Sequence, residues 1–151
     1  MSYLVRILLV EDHDDTAEAY RTLLMRRGYF VHVARNVADA KAAAIAQKFD
    51  LLICDLVLPD GDGCDLCREL RQPCGMDAIA LTACGYPADF AKTKAAGFRS
   101  HILKPVSLDL LIAAVESVVR DPSRQSNKRE PSGVQGEKEV EASKLPGSVT
   151  P

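Results

Sequence analysis

Residues Asp50–Gly61, with the sequence DLLICDLVLPDG, carry the strongest indication of the fold. They begin with a short apolar run, typical of a strand buried on both faces, and end in a Pro/Gly turn. A carboxylate, Asp55, lies where this strand should end. A second apolar run, Leu4–Val10, is followed by Glu11 and Asp12. If both strands belong to one parallel sheet, the three carboxylates meet at one edge, where they repel one another unless a cation joins them.

The composition is that of an ordinary soluble globular protein, with 47% hydrophobic and 26% charged residues in a chain of 151. This length allows one domain with an adequate core. A net charge of -2 gives no reason to expect nucleic-acid binding through a basic face. Neither a membrane span nor a signal peptide is recognisable. Five cysteines, an odd number, fit reduced thiols better than a disulfide framework. We therefore expect a cytoplasmic protein.

The chain divides near Arg120. Periodic apolar residues precede this point, whereas 12 of the 31 residues in 121–151 are Pro, Gly or Ser. Such a segment buries too little apolar surface to offset the entropy lost on ordering. We expect one domain over residues 1–120 and a disordered tail over residues 121–151. A short helix around Glu137–Leu145 that forms only on a partner is an alternative for part of the tail.

Strands and helices alternate five times before the tail. The expected strands are Leu4–Val10, Tyr29–Ala34, Leu51–Asp55, Ala78–Thr82 and His101–Leu103. The expected helices are one that ends at Gly28, one from an Asn36 cap to Lys48, one over about Cys64–Gln72, one over Pro87–Ala96 before Gly97, and one that Ser107 caps. This alternation predicts an α/β fold, a doubly wound parallel sheet of five strands in the order 2-1-3-4-5.

In such a sheet, ligands bind beyond the carboxyl ends of the strands, where the strand order reverses. The reversal lies between the first and third strands, which end in acid. The fourth strand ends at Thr82, and the fifth is followed by Lys104 and Pro105. Pro105 fixes its own φ, so it holds Lys104 in a defined turn. A cis bond between them would suit such a tight turn, but the sequence leaves its isomer open. Each of these strands therefore brings a polar or charged group to one rim.

These residue types suit phosphate chemistry. Mg²⁺ prefers oxygen ligands, so Asp12 and Asp55 are candidates for direct binding and Glu11 for binding through a water. Asp55 is also a candidate nucleophile toward phosphorus. Lys104 would share the charge on the transferring group, and the Thr82 hydroxyl would donate a hydrogen bond to one of its oxygens.

Four pieces of the chain resemble the receiver domain of two-component response regulators. They are Ile7–Asp12, Asp50–Gly63, Ala80–Ala83 and Lys104–Pro105. The resemblance covers about residues 4–120, with the pieces in the right order and at the right separations. It implies a (βα)5 flavodoxin-like fold and a phosphoacceptor switch in a phosphorelay. The donor would be a histidine kinase or a histidine phosphotransfer protein.

The resemblance also implies a role for each of these side chains. Asp55 would be the phosphoacceptor and Lys104 the phosphate lysine, and Mg²⁺ would bind Glu11, Asp12, Asp55 and the Val57 backbone carbonyl. Thr82 would be the switch hydroxyl. His101 lies at the family's aromatic switch position, although a half-exposed strand histidine without a role is an alternative interpretation. Val57 and Cys84 would flank the phosphoryl group, and since neither side chain activates water, we expect slow self-dephosphorylation.

Two other functions remain open. A receiver-like scaffold would bind partners without phosphorylation. A haloacid-dehalogenase-like phosphatase also uses an Asp at a strand end, but that family expects a second acid two residues later, where this chain has Val57. The pair Cys64 and Cys67 resembles a redox or zinc motif, yet no second pair accompanies it. We expect no enzyme beyond its own aspartyl phosphorylation and dephosphorylation.

The expected output of the switch is a contact with another protein. No pattern of a DNA-binding or catalytic domain follows Arg120, so we expect the signal to pass through contacts with an unknown downstream protein. The expected state is a monomer or a weak homodimer through the face of the fourth strand and fifth helix. The start at Met1, shortly before the first strand, favours a stand-alone receiver, and origin as part of a hybrid kinase is the alternative.

Overall fold

The structure, a computed structural model, describes residues 4–83 and 85–121. The elements along the chain are β1 (Arg6–Val10), α1 (Asp14–Arg26), β2 (Phe30–Ala34), α2 (Val37–Ala46), β3 (Leu51–Asp55), β4 (Val57–Leu58), β5 (Gly61–Asp62), α3 (Gly63–Cys74), β6 (Asp77–Thr82), α4 (Pro87–Ala96), β7 (Ser100–Leu103) and α5 (Leu108–Val119). The predicted disordered tail, the partner-dependent helix at Glu137–Leu145 and Cys84 lie outside the described residues, so these expectations stay predictions.

Five of the strands form one parallel sheet in the order β2-β1-β3-β6-β7. Since β6 and β7 are its fourth and fifth strands along the chain, the predicted order 2-1-3-4-5 and the doubly wound α/β fold are confirmed. The order reverses between β1 and β3, which pair in register from Ile7 opposite Leu51 to Val10 opposite Cys54. Strands β4 and β5 pair only with each other, as an antiparallel hairpin outside the sheet.

The core lies on both faces of the three central strands. All residues of β3 and β6 are buried, as are four of the five in β1. Helix α5 buries Leu111, Ile112, Val115 and Val118. Leu108, which has the same helical spacing and was expected on this apolar stripe, is exposed instead. Helix α4 buries fewer side chains than α5. All side chains of α4 are described, and two of them, Thr93 and Ala96, are buried. None of the helices in the described part of the chain is long and apolar enough to traverse a lipid bilayer.

Several helix ends follow the predicted signals. The Asn36 side chain accepts a hydrogen bond from the Asp39 amide at 2.7 Å and caps α2. The Ser107 hydroxyl oxygen accepts one from the Leu110 amide at 3.4 Å at the start of α5. Gly97 ends α4 with a φ of 105°, a left-handed conformation that favours glycine.

The end of α2 was predicted wrongly. The helix stops at Ala46 rather than Lys48, and Gln47 is extended. The Arg6 guanidinium explains the difference: it donates to the Lys48 carbonyl oxygen at 2.9 Å and to the Gln47 side chain. These bonds connect the segment to β1 and compete with a further helical turn.

Other boundaries differ by one or two residues. The first strand starts at Arg6 rather than Leu4, because its pairing with β2 begins there. Helix α3 starts at Gly63 and continues to Cys74, where Gly75 supplies a left-handed end at a φ of 65°. The hairpin of β4 and β5 was not predicted, since two-residue strands carry no periodic signal.

Candidate functional site

Three carboxylates meet at the rim where β1 and β3 end. Ligand oxygens of Glu11, Asp12 and Asp55 all lie within 4.8 Å of one another. Glu11 and Asp55 are buried, whereas Asp12 is exposed to incoming ions. An all-oxygen set that keeps one open side matches the preference of Mg²⁺, which retains several waters. The residues present therefore fit the predicted metal.

A lysine from the far side of the sheet reaches the same point. Lys104 follows β7, and its Nζ donates to Asp55 Oδ2 at 2.8 Å and to Glu11 Oε1 at 3.3 Å. Its backbone amide donates to the Thr82 carbonyl oxygen at 2.7 Å, which fixes the turn beside β6. The Lys104–Pro105 peptide bond is cis, which the sequence had left open. One ammonium thus neutralises part of the charge of two carboxylates.

Burial and neighbouring charges shift the pKa values of Glu11 and Lys104. Burial raises the pKa of Glu11, and the Asp55 carboxylate raises it too, against the opposing effect of Lys104 and of the His13 amide. For Lys104, burial lowers the pKa, but the hydrogen bond to Asp55 and the charges of Glu11 and Asp55 outweigh it, so that its pKa is raised. Folding therefore favours the ammonium form of Lys104 and disfavours the ionised form of Glu11.

Without Mg²⁺, Glu11→Gln is expected to raise the melting temperature near neutral pH. Because the folded-state pKa of Glu11 is raised above 4.5, the stability linked to this group is fully present below that value and is lost as the pH rises through the folded-state pKa. Glutamine does not ionise, so its advantage should be greatest near neutral pH and vanish in acid. Thermal unfolding followed by circular dichroism across this pH range measures it.

Glu18→Gln is the matched control for this prediction. Glu18 lies on α1, and its hydrogen bond with Arg21 lowers its pKa, which is the opposite sign. Its replacement should bring no gain in melting temperature at neutral pH. A Glu11→Gln protein that gains stability only in acid would contradict the prediction.

The chain turns back sharply behind Asp55. The Val57 amide donates to Asp55 Oδ1 at 3.2 Å, and the Gly63 amide donates to the Leu56 carbonyl oxygen at 2.9 Å. A Cβ atom on Gly63 would lie 2.4 Å from the Asp55 carbonyl oxygen and 2.9 Å from Leu56 Cα. The glycine is required here for space, because the start of α3 passes directly against the backbone of the candidate phosphoacceptor.

Thr82 and His101 lie on one face of the sheet. Thr82 is buried at the end of β6, and the register pairs Ala80, two residues earlier, with His101. The His101 Nδ1 atom lies 2.8 Å from Thr93 Oγ1, whose own hydrogen is donated to the Phe90 carbonyl oxygen at 3.0 Å. Hydrogen-bond accounting therefore makes His101 Nδ1 the donor. The ring also contacts Phe90, at 4.2 Å between centroids, so the histidine connects β7 to α4.

The described cysteines and the other two histidines are not part of the acidic group at the rim. Cys54, Cys64 and Cys67 are free and buried, and burial raises the pKa of all three thiols, to about 11 for Cys67. Within the described residues, the acidic rim is the one group with metal-binding geometry, so the zinc hypothesis for Cys64 and Cys67 gains no support. His13 is exposed before α1, and His32 lies on β2 with its ring 6.0 Å from that of Phe49.

Comparison with known proteins identifies the family. Residues 7–116 match the model of the response regulator receiver domain. The transcriptional regulatory protein ResD of Bacillus subtilis is 31% identical over 121 residues, which is 80% of this chain and 50% of the relative. The transcriptional regulatory protein AfsQ1 of Streptomyces coelicolor is 32% identical over 120 residues, 80% of this chain and 53% of the relative. The chain thus spans about half the length of these relatives.

Solved structures share the fold. The signal receiver domain of a putative Luxo repressor protein from Vibrio parahaemolyticus superposes with a TM-score of 0.78 at 25% identity, covering 86% of this chain and 100% of that one. A CheY-like receiver domain protein from Methanospirillum hungatei gives 0.75 at 25% identity, covering 83% and 99%. The sheet order, the family match and these likenesses agree. The chain belongs to the response regulator receiver domain family, the signalling domains of two-component systems.

Proposed function

We propose that the protein is a phosphoacceptor switch in which Asp55 takes a phosphoryl group from a phosphohistidine of a histidine kinase or histidine phosphotransfer protein. The observation that carries this proposal is the contact of Lys104 Nζ with Asp55 Oδ2 at 2.8 Å, inside a group of three carboxylates at the strand-order reversal. An ammonium and a metal-binding acid group around one carboxylate suit a transferred phosphoryl group. We place the exchange in the cytoplasm, where free thiols persist.

In the proposed reaction, an Asp55 carboxylate oxygen attacks phosphorus and forms an O–P bond. The P–N bond to the donor imidazole breaks, and its electron pair stays on the imidazole nitrogen. Lys104 donates hydrogen bonds to the transferring oxygens in place of its present bond to Asp55. Glu11, Asp12, Asp55 and the Val57 carbonyl would hold Mg²⁺, which when bound would neutralise charge on the phosphoryl oxygens.

The same residues suggest how phosphorylation changes the surface. A phosphoryl group adds charge and strong acceptor oxygens, which would draw the Thr82 hydroxyl toward Asp55. The space that Thr82 leaves would let His101 turn inward and release its hydrogen bond to Thr93 and its ring contact with Phe90 on α4. We propose that this exchange alters the exposed face of α4, β7 and α5, where a downstream protein or a second copy would bind. Phe90, Leu103 and Leu110 supply exposed apolar side chains there.

One experiment tests the proposal. The protein is incubated with Mg²⁺ and acetyl phosphate or a phosphorylated donor, and its intact mass is measured. We expect the mass of one phosphoryl group to be added to the native protein and to Asp109→Asn, which loses an exposed carboxylate in the first turn of α5. Asp55→Asn should gain nothing. Absence of the adduct with every donor would favour a binding scaffold, and rapid turnover of varied phosphate esters would favour a phosphatase.

The phosphoaspartate is expected to last well beyond seconds. The Val57 side chain is 76% exposed beside the site, and an isopropyl group cannot orient an attacking water. Decay of the phosphorylated mass after removal of the donor gives the half-life. Val57→Asn, which adds a hydrogen-bonding side chain at this position, should shorten it. A native half-life of seconds would contradict the expectation.

A further inference from the structure

The Val57 carbonyl belongs to the hairpin of β4 and β5 and not to the main sheet. Its position relative to Asp55 therefore depends on what holds the hairpin. One side is anchored in the core by Leu58, which is buried, while Val57 itself is exposed. The other strand leads through Asp62 into α3, where the Asp62 carboxylate accepts from the Cys64 amide at 2.7 Å. The turn between the strands needs a contact of its own.

Asp60 supplies that contact. Its Oδ1 accepts from the Val37 amide at 2.7 Å, and its Oδ2 accepts from the Ala38 amide at 3.0 Å. These amides open α2 and have no partner inside the helix. The two hydrogen bonds hold the pKa of Asp60 below its usual value, so the carboxylate is ionised and bound to both amides at neutral pH.

The contact serves more than the capping of α2. Asn36 already caps this helix through the Asp39 amide, so α2 has a local cap that does not involve the hairpin. The hairpin also approaches α2 closely: a Cβ atom on Gly61 would lie 3.0 Å from Val37 Cγ2. Asp60 and Gly61 together hold the turn of the hairpin against Val37, the first residue of α2.

We infer that Asp60 is a positioning residue that fixes the hairpin to α2 and so places the Val57 carbonyl for Mg²⁺. This inference rests on the proposed function of the acidic rim. A backbone ligand in a loosened hairpin would have to be ordered at each binding event, which weakens binding without removing any ligand. Outer partners that orient a metal ligand typically change metal affinity by about tenfold or more. Asp60 acts on the metal through the loop, 23 residues from the Val37 amide that it binds.

The test compares Asp60→Asn and Asp60→Ala with Asp39→Asn in the full chain. Asp39 is the matched control, because it is an acid in the first turn of α2 that bonds to the Asn36 side chain at 3.3 Å and is not part of the hairpin. Mg²⁺ affinity is measured by calorimetric titration, and exchange of the Val37 and Ala38 amides by NMR. We expect Asp60→Ala to weaken Mg²⁺ binding roughly tenfold, Asp60→Asn to weaken it less, and both to speed exchange of the two amides. Asp39→Asn should leave Mg²⁺ affinity unchanged.

The kinetics of phosphorylation should also separate an effect on Mg²⁺ binding from an effect on the phosphoryl transfer itself. The Mg²⁺ concentration for half-maximal phosphorylation by acetyl phosphate is expected to rise in Asp60→Ala, while the rate at saturating Mg²⁺ stays near the native rate. A lower melting temperature with native Mg²⁺ affinity would overturn the inference and leave Asp60 a structural cap. If the native protein binds no Mg²⁺, the proposed function fails and this inference fails with it, whereas native binding that Asp60→Ala does not change removes the inference alone.

Discussion

Replacing Lys104 with methionine is expected to slow phosphorylation of Asp55 by about a hundredfold or more, the usual loss when one preorganised charge donor is removed from a reacting group. Methionine keeps much of the length of the side chain but has no charge. It leaves the buried Glu11 beside Asp55 without the ammonium that lies between them at 3.3 and 2.8 Å. The initial rate of phosphorylation by acetyl phosphate at saturating Mg²⁺, followed by intact mass, measures the effect.

Lys92→Met is the control for this change. Lys92 is an exposed lysine on α4 whose Nζ donates to Asp62 Oδ2 at 3.1 Å, away from the carboxylates of the rim. Its loss should leave the rate at saturating Mg²⁺ near that of the native protein. A folded Lys104→Met protein that is phosphorylated at the native rate would remove the proposed role of Lys104.

Replacing Gly63 with alanine is expected to lower the free energy of unfolding by about 3 kcal/mol, the upper part of the range for overpacked positions. The new Cβ would meet the Asp55 carbonyl oxygen at 2.4 Å and Leu56 Cα at 2.9 Å, and both are backbone atoms. Neither can rotate away, so relief requires β3 and α3 to move apart. Urea unfolding followed by circular dichroism gives the free energy.

Gly85→Ala separates this effect from the general effect of adding a methyl group. Its Cβ would meet the Leu103 side chain at 3.0 Å, at the end of a group that can rotate. We expect a clearly smaller loss for Gly85→Ala than for Gly63→Ala. Equal losses would mean that the close approach of α3 to the Asp55 backbone is not what makes glycine necessary.

Most of the sheet was predictable because its signals are local. The apolar runs that form β1, β3 and β6 are typical of buried strands, and the strand–helix alternation indicates a parallel sheet. The rim residues were predictable for a related reason: the carboxyl ends of neighbouring parallel strands lie together. Residue type at each strand end thus predicts proximity in space, as Lys104 and Asp55 show across 49 positions.

The features that were missed depend on contacts between distant residues. Helix α2 ends early because Arg6, more than 40 positions away, binds the segment after Ala46. The attachment of Asp60 to α2 carries no local signal either, since an acid in a Pro/Gly turn is typical of a solvated loop. The bond between His101 and Thr93 required the relative placement of β7 and α4, which periodicity does not give.

Because α4 buries few side chains, a small free energy would suffice to displace it in the proposed switch. A new phosphoryl group offers only a few charge-assisted hydrogen bonds, so any element that it displaces must be held by a comparably small free energy. Helix α5, with four buried aliphatic side chains, would resist such a change, whereas α4 is held in the core by a threonine and an alanine. In the proposed switch, a partner that binds α4 would thereby detect an event as small as the modification of one carboxylate.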